Sequence, residues 1–128
     1  MAGAPKKRDP VKHAAYARAW ARAHPDVGRQ KNLRRKAEVL ERLGGARCVI
    51  CGCDDVRALE VNHIRGGGGR ESRSRGRAGS ALLYGMILNG TRSTADLNVL
   101  CRPCNQVDYI LRKHPNLSGR WLIRWVSV

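Results

Sequence analysis

Apolar positions along this chain fall into short patterns, each with its own period. The run VKHAAYARAWARA follows Asp9-Pro10. Asp as N-cap and Pro at the first helical position predict a helix start there, and the Ala content favours its continuation. Tyr16 and Trp20, four residues apart, share one face. Pro25 biases His24 away from helical geometry, so His24-Pro25-Asp26 should break the run. Asp26 is then placed to cap a second helix. In it Leu33, Ala37, Leu40 and Leu43 recur at the helical period, and Gly44-Gly45 should end it. From Ala58 to Ile64 the pattern changes to alternation, with Leu59 and Val61 on one side and Glu60 and Asn62 on the other, which predicts a short strand. Residues 65–80, RGGGGRESRSRGRAGS, hold six Gly, five Arg and three Ser and predict a flexible basic loop without a core. ALLYGMILN, residues 81–89, reads as a short buried helix closed by Asn89-Gly90. Thr94 to Leu100 reads as a second strand, and Asn105 to about Lys113 as a helix. Pro115 and Gly119 interrupt, and the period of the apolar tail RWLIRWVSV does not choose between strand and helix.

Composition sharpens this picture. The chain has 128 residues, with 25 Lys and Arg against 10 Asp and Glu, a formal charge of +15. Aromatic residues make up only 5%, none of them Phe, and five Cys are present. A core this poor in aromatics calls for an additional staple. Tyr16, Trp20, Trp121 and Trp125 are assigned to the core, with base stacking as the alternative. No apolar run approaches the ~20 residues of a membrane helix. MAGAPKKRDP carries basic residues without an apolar stretch, which argues against a secretory signal and for the cytoplasm. An odd Cys count in a reducing compartment favours thiolate–metal chemistry over a disulfide framework. The positive excess favours a polyanionic partner, nucleic acid before membrane. Eighteen of the 25 basic residues lie in residues 1–47 and 65–80. Arg29, Lys31, Arg34, Arg35 and Lys36 crowd the first half of the second helix, the wrong end for its dipole. Phosphate contact explains them better than a solvated basic face. Arg65, Arg70, Arg73, Arg75 and Arg77 form a second basic set, on the glycine-rich segment.

Cys48-Val-Ile-Cys51 and Cys101-Arg-Pro-Cys104 are two C-x-x-C knuckles separated by 49 residues. The two-residue spacing lets one turn aim both sulfurs at one ion, and four thiolates match tetrahedral structural zinc. Four thiolates leave no open position for a substrate water. Cys53 is a spare, or replaces Cys51 in a C-x-x-x-x-C knuckle. His63 is a catalytic candidate. Its alternatives are a zinc ligand displacing a Cys and a surface His in a turn.

The order C-x-x-C, Leu59-Glu-Val-Asn-His63-Ile64, Asp96-Leu-Asn-Val-Leu-Cys101, Cys104-Asn105 resembles the HNH (ββα-metal) nuclease family, in the branch with two C-x-x-C knuckles. The resemblance covers residues 48 to about 113. HAAYARAWARAHPDVGRQ is similar to the basic helical leaders of phage members. The resemblance implies an α+β fold, a small zinc-stapled ββα-metal core with basic N-terminal helices. It divides the chain into a basic helical extension at 1–47, a nuclease core at 48–113 with the Gly/Arg insert 65–80, and an apolar tail at 114–128 packing on the core.

Residue by residue, the resemblance places His63 on the general base, a role that suits an imidazole with an ordinary pKa of ~6.5. Asn105 falls on a ligand of the catalytic Mg²⁺ or Mn²⁺. Asn62 stands where a metal-binding Asp is usual, and two neutral amides should hold a hard dication weakly. Asp96 falls by register on the middle position, where Asn clamps the loop between the strands, and Asn98 is the alternative. Glu60, Glu71 and Asp108 are the nearest carboxylates, with ordinary surface carboxylates as the plain alternative. The implied activity is metal-dependent endonucleolytic hydrolysis or nicking of double-stranded DNA, leaving a 5′ phosphate. Terminase, beside which phage members assist DNA packaging, is a candidate partner. The alternatives are a zinc-stabilised DNA-binding module without nuclease activity and an RNA-binding zinc protein.

Overall fold

In the computed structural model, residues 9–120 are described together with Ile123, Arg124 and Val126. The chain forms two compact units that divide between Asn32 and Leu33. The elements are α1 (Pro10–Ala23), α2 (Pro25–Arg42), β1 (Leu59–His63), α3 (Gly68–Arg75), α4 (Gly79–Leu88), β2 (Leu97–Cys101) and α5 (Arg102–Lys113). Single 3-10 turns occupy Gly76–Ala78 and Pro115–Leu117.

The first helix starts as the sequence predicts. Asp9 Oδ1 accepts from the Val11 amide at 3.0 Å, and Pro10 opens the helix. His24 alone separates α1 from α2, which begins at Pro25, so Asp26 lies inside the first turn of α2 instead of capping it. The expectation that Tyr16 and Trp20 belong to a core is corrected. The first helix buries none of its residues, Tyr16 is 69% exposed, and Trp20 stacks on His24 at 4.4 Å between ring centres. One helix with two aromatics has too little apolar surface to enclose them. Trp121 and Trp125 lie outside the described residues.

The second unit is built on the two strands. They pair antiparallel, with Leu59 opposite Cys101, Val61 opposite Val99, Asn62 opposite Asn98 and His63 opposite Leu97. A two-stranded ribbon is marginal alone and needs covering elements. Helix α5 packs on both strands. Leu40 from α2 is fully buried with Leu59, Val99, Leu100 and four of the five cysteines, and Ile123 packs against this cluster. Val39, Leu83, Ile87 and Leu97 form a second cluster, which ties α4 to the end of α2. Of the predicted helical stripe, Leu40 is buried, Leu43 half-buried and Leu33 exposed. Gly44 and Gly45, at φ +110° and +132°, end α2, and the Gly45 amide returns to the Leu40 carbonyl at 3.1 Å. Together β1, β2, α5 and the cysteine cluster make the predicted α+β architecture, a zinc-stapled ββα-like core preceded by basic helices.

The glycine-rich segment departs from expectation. Residues 65–80 are not a flexible loop: they contain α3, a 3-10 turn and the start of α4. Gly66 and Gly67 turn the chain at φ +76° and +88°, and helix follows at once. The reason is tertiary. Glu71 at the start of α3 pairs with the remote Arg92, and the Arg75 guanidinium lies 3.3 Å from Glu71 one turn along the helix, so a long-range ion pair and a local one together outweigh glycine's entropy. Helix α5 also starts earlier than predicted, at Arg102 with Cys101 as N-cap, because Pro103 suits a first turn.

Candidate metal centre and histidine cleft

The first knuckle folds on itself before it meets the second. The Gly52 amide bonds the Cys48 carbonyl at 3.0 Å, and the Cys48 amide bonds the Cys53 carbonyl at 2.8 Å. Val49 then bonds Val99 at 3.0 Å, which brings this turn beside the end of β2. Cys101 ends that strand and Cys104 lies in the first turn of α5. The sulfurs of Cys48, Cys51, Cys101 and Cys104 consequently all lie within 4.8 Å of one another. Cys51 and Cys101 are 3.6 Å apart. Tetrahedral zinc with bonds of ~2.3 Å requires sulfur separations of about 3.8 Å, so the donor set fits a structural Zn²⁺ ion. Cys53 is buried in the core outside this group. Burial pushes the Cys48 thiol up, but amide hydrogen bonds at Cys51, Cys101 and Ile50 outweigh it and bring it to about 6. Burial raises Cys101 to about 11 and raises Cys104 further. Cys48 thus ionises readily, and Cys101 and Cys104 resist ionising beside it.

His63 ends β1 with its side chain 13% exposed. Its Nε2 contacts Glu71 Oε2, and Gly68 lies against the opposite side of the ring. Arg92 Nε donates to Glu71 Oε1 at 2.7 Å and its Nη2 to Oε2 at 3.3 Å. The same guanidinium donates to both Asp96 oxygens, at 2.7 and 2.9 Å, and to the Ser93 carbonyl. His63, Glu71, Arg92 and Asp96 thus form one continuous chain. Hydrogen bonds from Arg92 hold the carboxyls of Glu71 and Asp96 down at about 2, and the two carboxylates raise Arg92. Asp96 also fixes the strand ends through its carbonyl, which accepts from the Ile64 amide at 2.9 Å.

Asn62 is 5% exposed, and its Nδ2 donates to Asn98 Oδ1, directly across the ribbon, at 2.8 Å. Asn98 therefore engages Asn62, and Asp96 engages Arg92. Asn105 Nδ2 donates to Glu60 Oε2 at 2.9 Å, while Arg102 Nε donates to Glu60 Oε1 at 3.0 Å. Glu60 and Asn62 share a strand face by alternation, so α5 brings Asn105 to that face. Asp108 pairs with Arg112 at 3.0 Å, one turn along α5. Glu60, Asn62, His63 and Asn105 all line one open cleft of about 1010 Å³.

The predicted basic residues separate into groups. Lys36, Arg65 and Arg75 line the cleft. Burial, then the charge of Arg102, lowers the Lys36 pKa. Arg34, Arg70, Arg73 and Arg77 are exposed, and Arg35 donates to the Ala81 carbonyl at 3.3 Å. Arg29 and Lys31 belong to the first unit, where Arg29 lies 3.6 Å from Asp26. Sequence reasoning missed Arg102, Arg112 and Lys113, which also line the cleft. A helical wheel could have found Arg112, seven residues beyond Asn105 on the same face. Arg92 carried no sequence signal. No helix among the described residues is long and apolar enough to cross a membrane. No family model, no curated protein and no solved structure matches this chain.

Proposed function

We propose that this zinc-stapled ββα core acts on double-stranded DNA, as an HNH-type endonuclease or nickase with His63 as general base. The observation that carries this reading is the position of His63. It ends the first strand, beside Asn62, in a cleft that also holds Asn105 and is edged by Arg65, Arg102, Arg112 and Lys113. A backbone phosphate entering there meets guanidinium groups suited to forked contacts. His63 takes a proton from water as the water oxygen bonds to phosphorus. The bond from phosphorus to the 3′ oxygen breaks, and the 5′ phosphate stays on the product.

Asn62 and Asn105 each spend their NH₂ group on a neighbour, on Asn98 and Glu60 respectively. The carbonyl oxygens are the uncommitted atoms, so the pair fits a hard dication with neutral donors, and Glu60 is the adjacent carboxylate. When bound there, Mg²⁺ or Mn²⁺ supplies stabilisation of the negative charge on the departing oxygen. The same neutrality favours the second reading, a zinc-stabilised DNA-binding module without hydrolysis. Terminase remains a candidate partner under the nuclease reading.

The deciding experiment follows conversion of supercoiled plasmid to open circles by zinc-loaded protein, with Mg²⁺, with Mn²⁺ and without added dication. Nicking only with added dication supports the enzyme; intact plasmid in all three supports the binding module. Both readings require phosphate contact. If Arg65, Arg102, Arg112 and Lys113 each neutralise one phosphate, duplex affinity should fall with a log–log salt slope of about −3.6. Fluorescence anisotropy across a salt series measures it, and a slope near zero rejects DNA as the partner.

A further inference from the structure

We propose that Glu71, carried in by the glycine-rich insert, is the positioning residue of His63, and that Arg92 sets which imidazole nitrogen bears the proton. The inference rests on the nuclease reading for its catalytic consequence, but not for its geometry. Glu71 Oε2 meets His63 Nε2, and an ionised carboxylate can only accept there. The imidazole proton is therefore held on Nε2, and the lone pair needed by a general base is left on Nδ1. Arg92 removes the remaining freedom of Glu71. Its guanidinium touches both carboxylate oxygens and is itself anchored by both oxygens of Asp96. Arg75 adds a second cation 3.3 Å from Glu71 Oε1.

The insert also shapes the other side of the ring. A Cβ on Gly68 would stand 2.6 Å from His63 Nδ1 and 3.1 Å from Cε1, so the ring holds its place only while residue 68 has no side chain. Gly68 is not among the glycines in the left-handed region, so alanine suits its backbone. Steric pressure on His63 is then the main effect of Gly68→Ala. The insert supplies both a carboxylate that orients the histidine and a bare backbone that gives it room.

Because Arg92 only donates, Glu71→Gln makes a sharp test. The Gln carbonyl oxygen must face Arg92, which turns the amide NH₂ toward His63 Nε2. That nitrogen must then accept, and the proton moves to Nδ1. Long-range proton–nitrogen NMR of the histidine rings, at about pH 8 where an ordinary imidazole is neutral, reads the tautomer directly, with His63→Ala to assign the signal. The Nε2–H form is expected in the wild type, the Nδ1–H form in Glu71→Gln and a mixture in Glu71→Ala. The same tautomer in wild type and Glu71→Gln overturns the proposal whether or not the protein nicks DNA. In a protein that nicks, Glu71→Gln should lower the saturating nicking rate about 100-fold, with half-saturation within about twofold, in line with the weight of a general base. A purely structural Glu71 predicts that the isosteric Gln is harmless, and that result, or faster nicking by Glu71→Ala, also overturns the proposal. Gly68→Ala should keep the wild-type melting temperature within a few degrees, shift the His63 ring signals and slow nicking at least tenfold. Unshifted His63 signals in that variant count against the insert's role. A wild type that never nicks defeats the nuclease reading alone, since the tautomer result stands apart from it.

Discussion

Stripping zinc from this protein should unfold its second unit. Cys101→Ser should do the same without a chelator. The four ligand sulfurs are not an appendage to the core: Cys48, Cys101 and Cys104 are buried with Leu40, Leu59 and Leu100 in one cluster. Structural zinc sites contribute ~10–16 kcal/mol of apparent binding energy, which is folding energy. Whole domains are stable by only ~5–15 kcal/mol, so loss of the site removes the margin. One zinc per chain is expected by elemental analysis, with loss of the thermal transition and of near-UV circular dichroism when it is removed. Cys53→Ser separates metal from packing. Cys53 is equally buried but lies outside the four-sulfur group. Its substitution should cost about 1–3 kcal/mol, the penalty of burying a hydroxyl, and leave the zinc content at one. Wild-type melting in Cys101→Ser would remove the structural-zinc assignment.

His63→Ala should reduce dication-dependent nicking by about 10²–10⁴, the usual weight of a general base. The fold should survive, because the ring sits at the end of β1 and contributes little to either apolar cluster. Glu71 keeps its bonds to Arg92, so truncation leaves no orphaned carboxylate. Plasmid nicking at matched protein and zinc content measures the first effect, and thermal melting the second. Equal nicking by variant and wild type would move the activity away from this cleft. A lost melting transition would show that the ring is structural.

Much of this arrangement was legible in the chain. Asp9-Pro10 marked the start of α1, and alternation through Leu59, Val61 and their neighbours marked β1. The two C-x-x-C pairs marked the metal centre. Each is local chemistry: a cap bonds an amide two residues on, and a knuckle needs only one turn. Even the pairing of Asn62 with Asn98 follows once the two strands are placed in register. The glycine-rich segment misled because its stabilising partners are remote. Six glycines over sixteen residues argue for disorder when only local entropy is weighed. Nothing at Glu71 announces that Arg92, on the far side of α4, will pair with it.

By itself, then, the sequence determined the elements with a strong period, the four thiolates and the excess of positive charge, since these depend on neighbours within a turn or two. Tertiary structure alone decided that residues 65–80 are largely helical, that Arg92 joins Glu71 to Asp96, and that Arg102, Arg112 and Lys113 of α5 line the cleft that holds the histidine. Those outcomes depend on ion pairs and close contacts across tens of residues. Their energy exists only once the two strands lie side by side against the four-cysteine cluster.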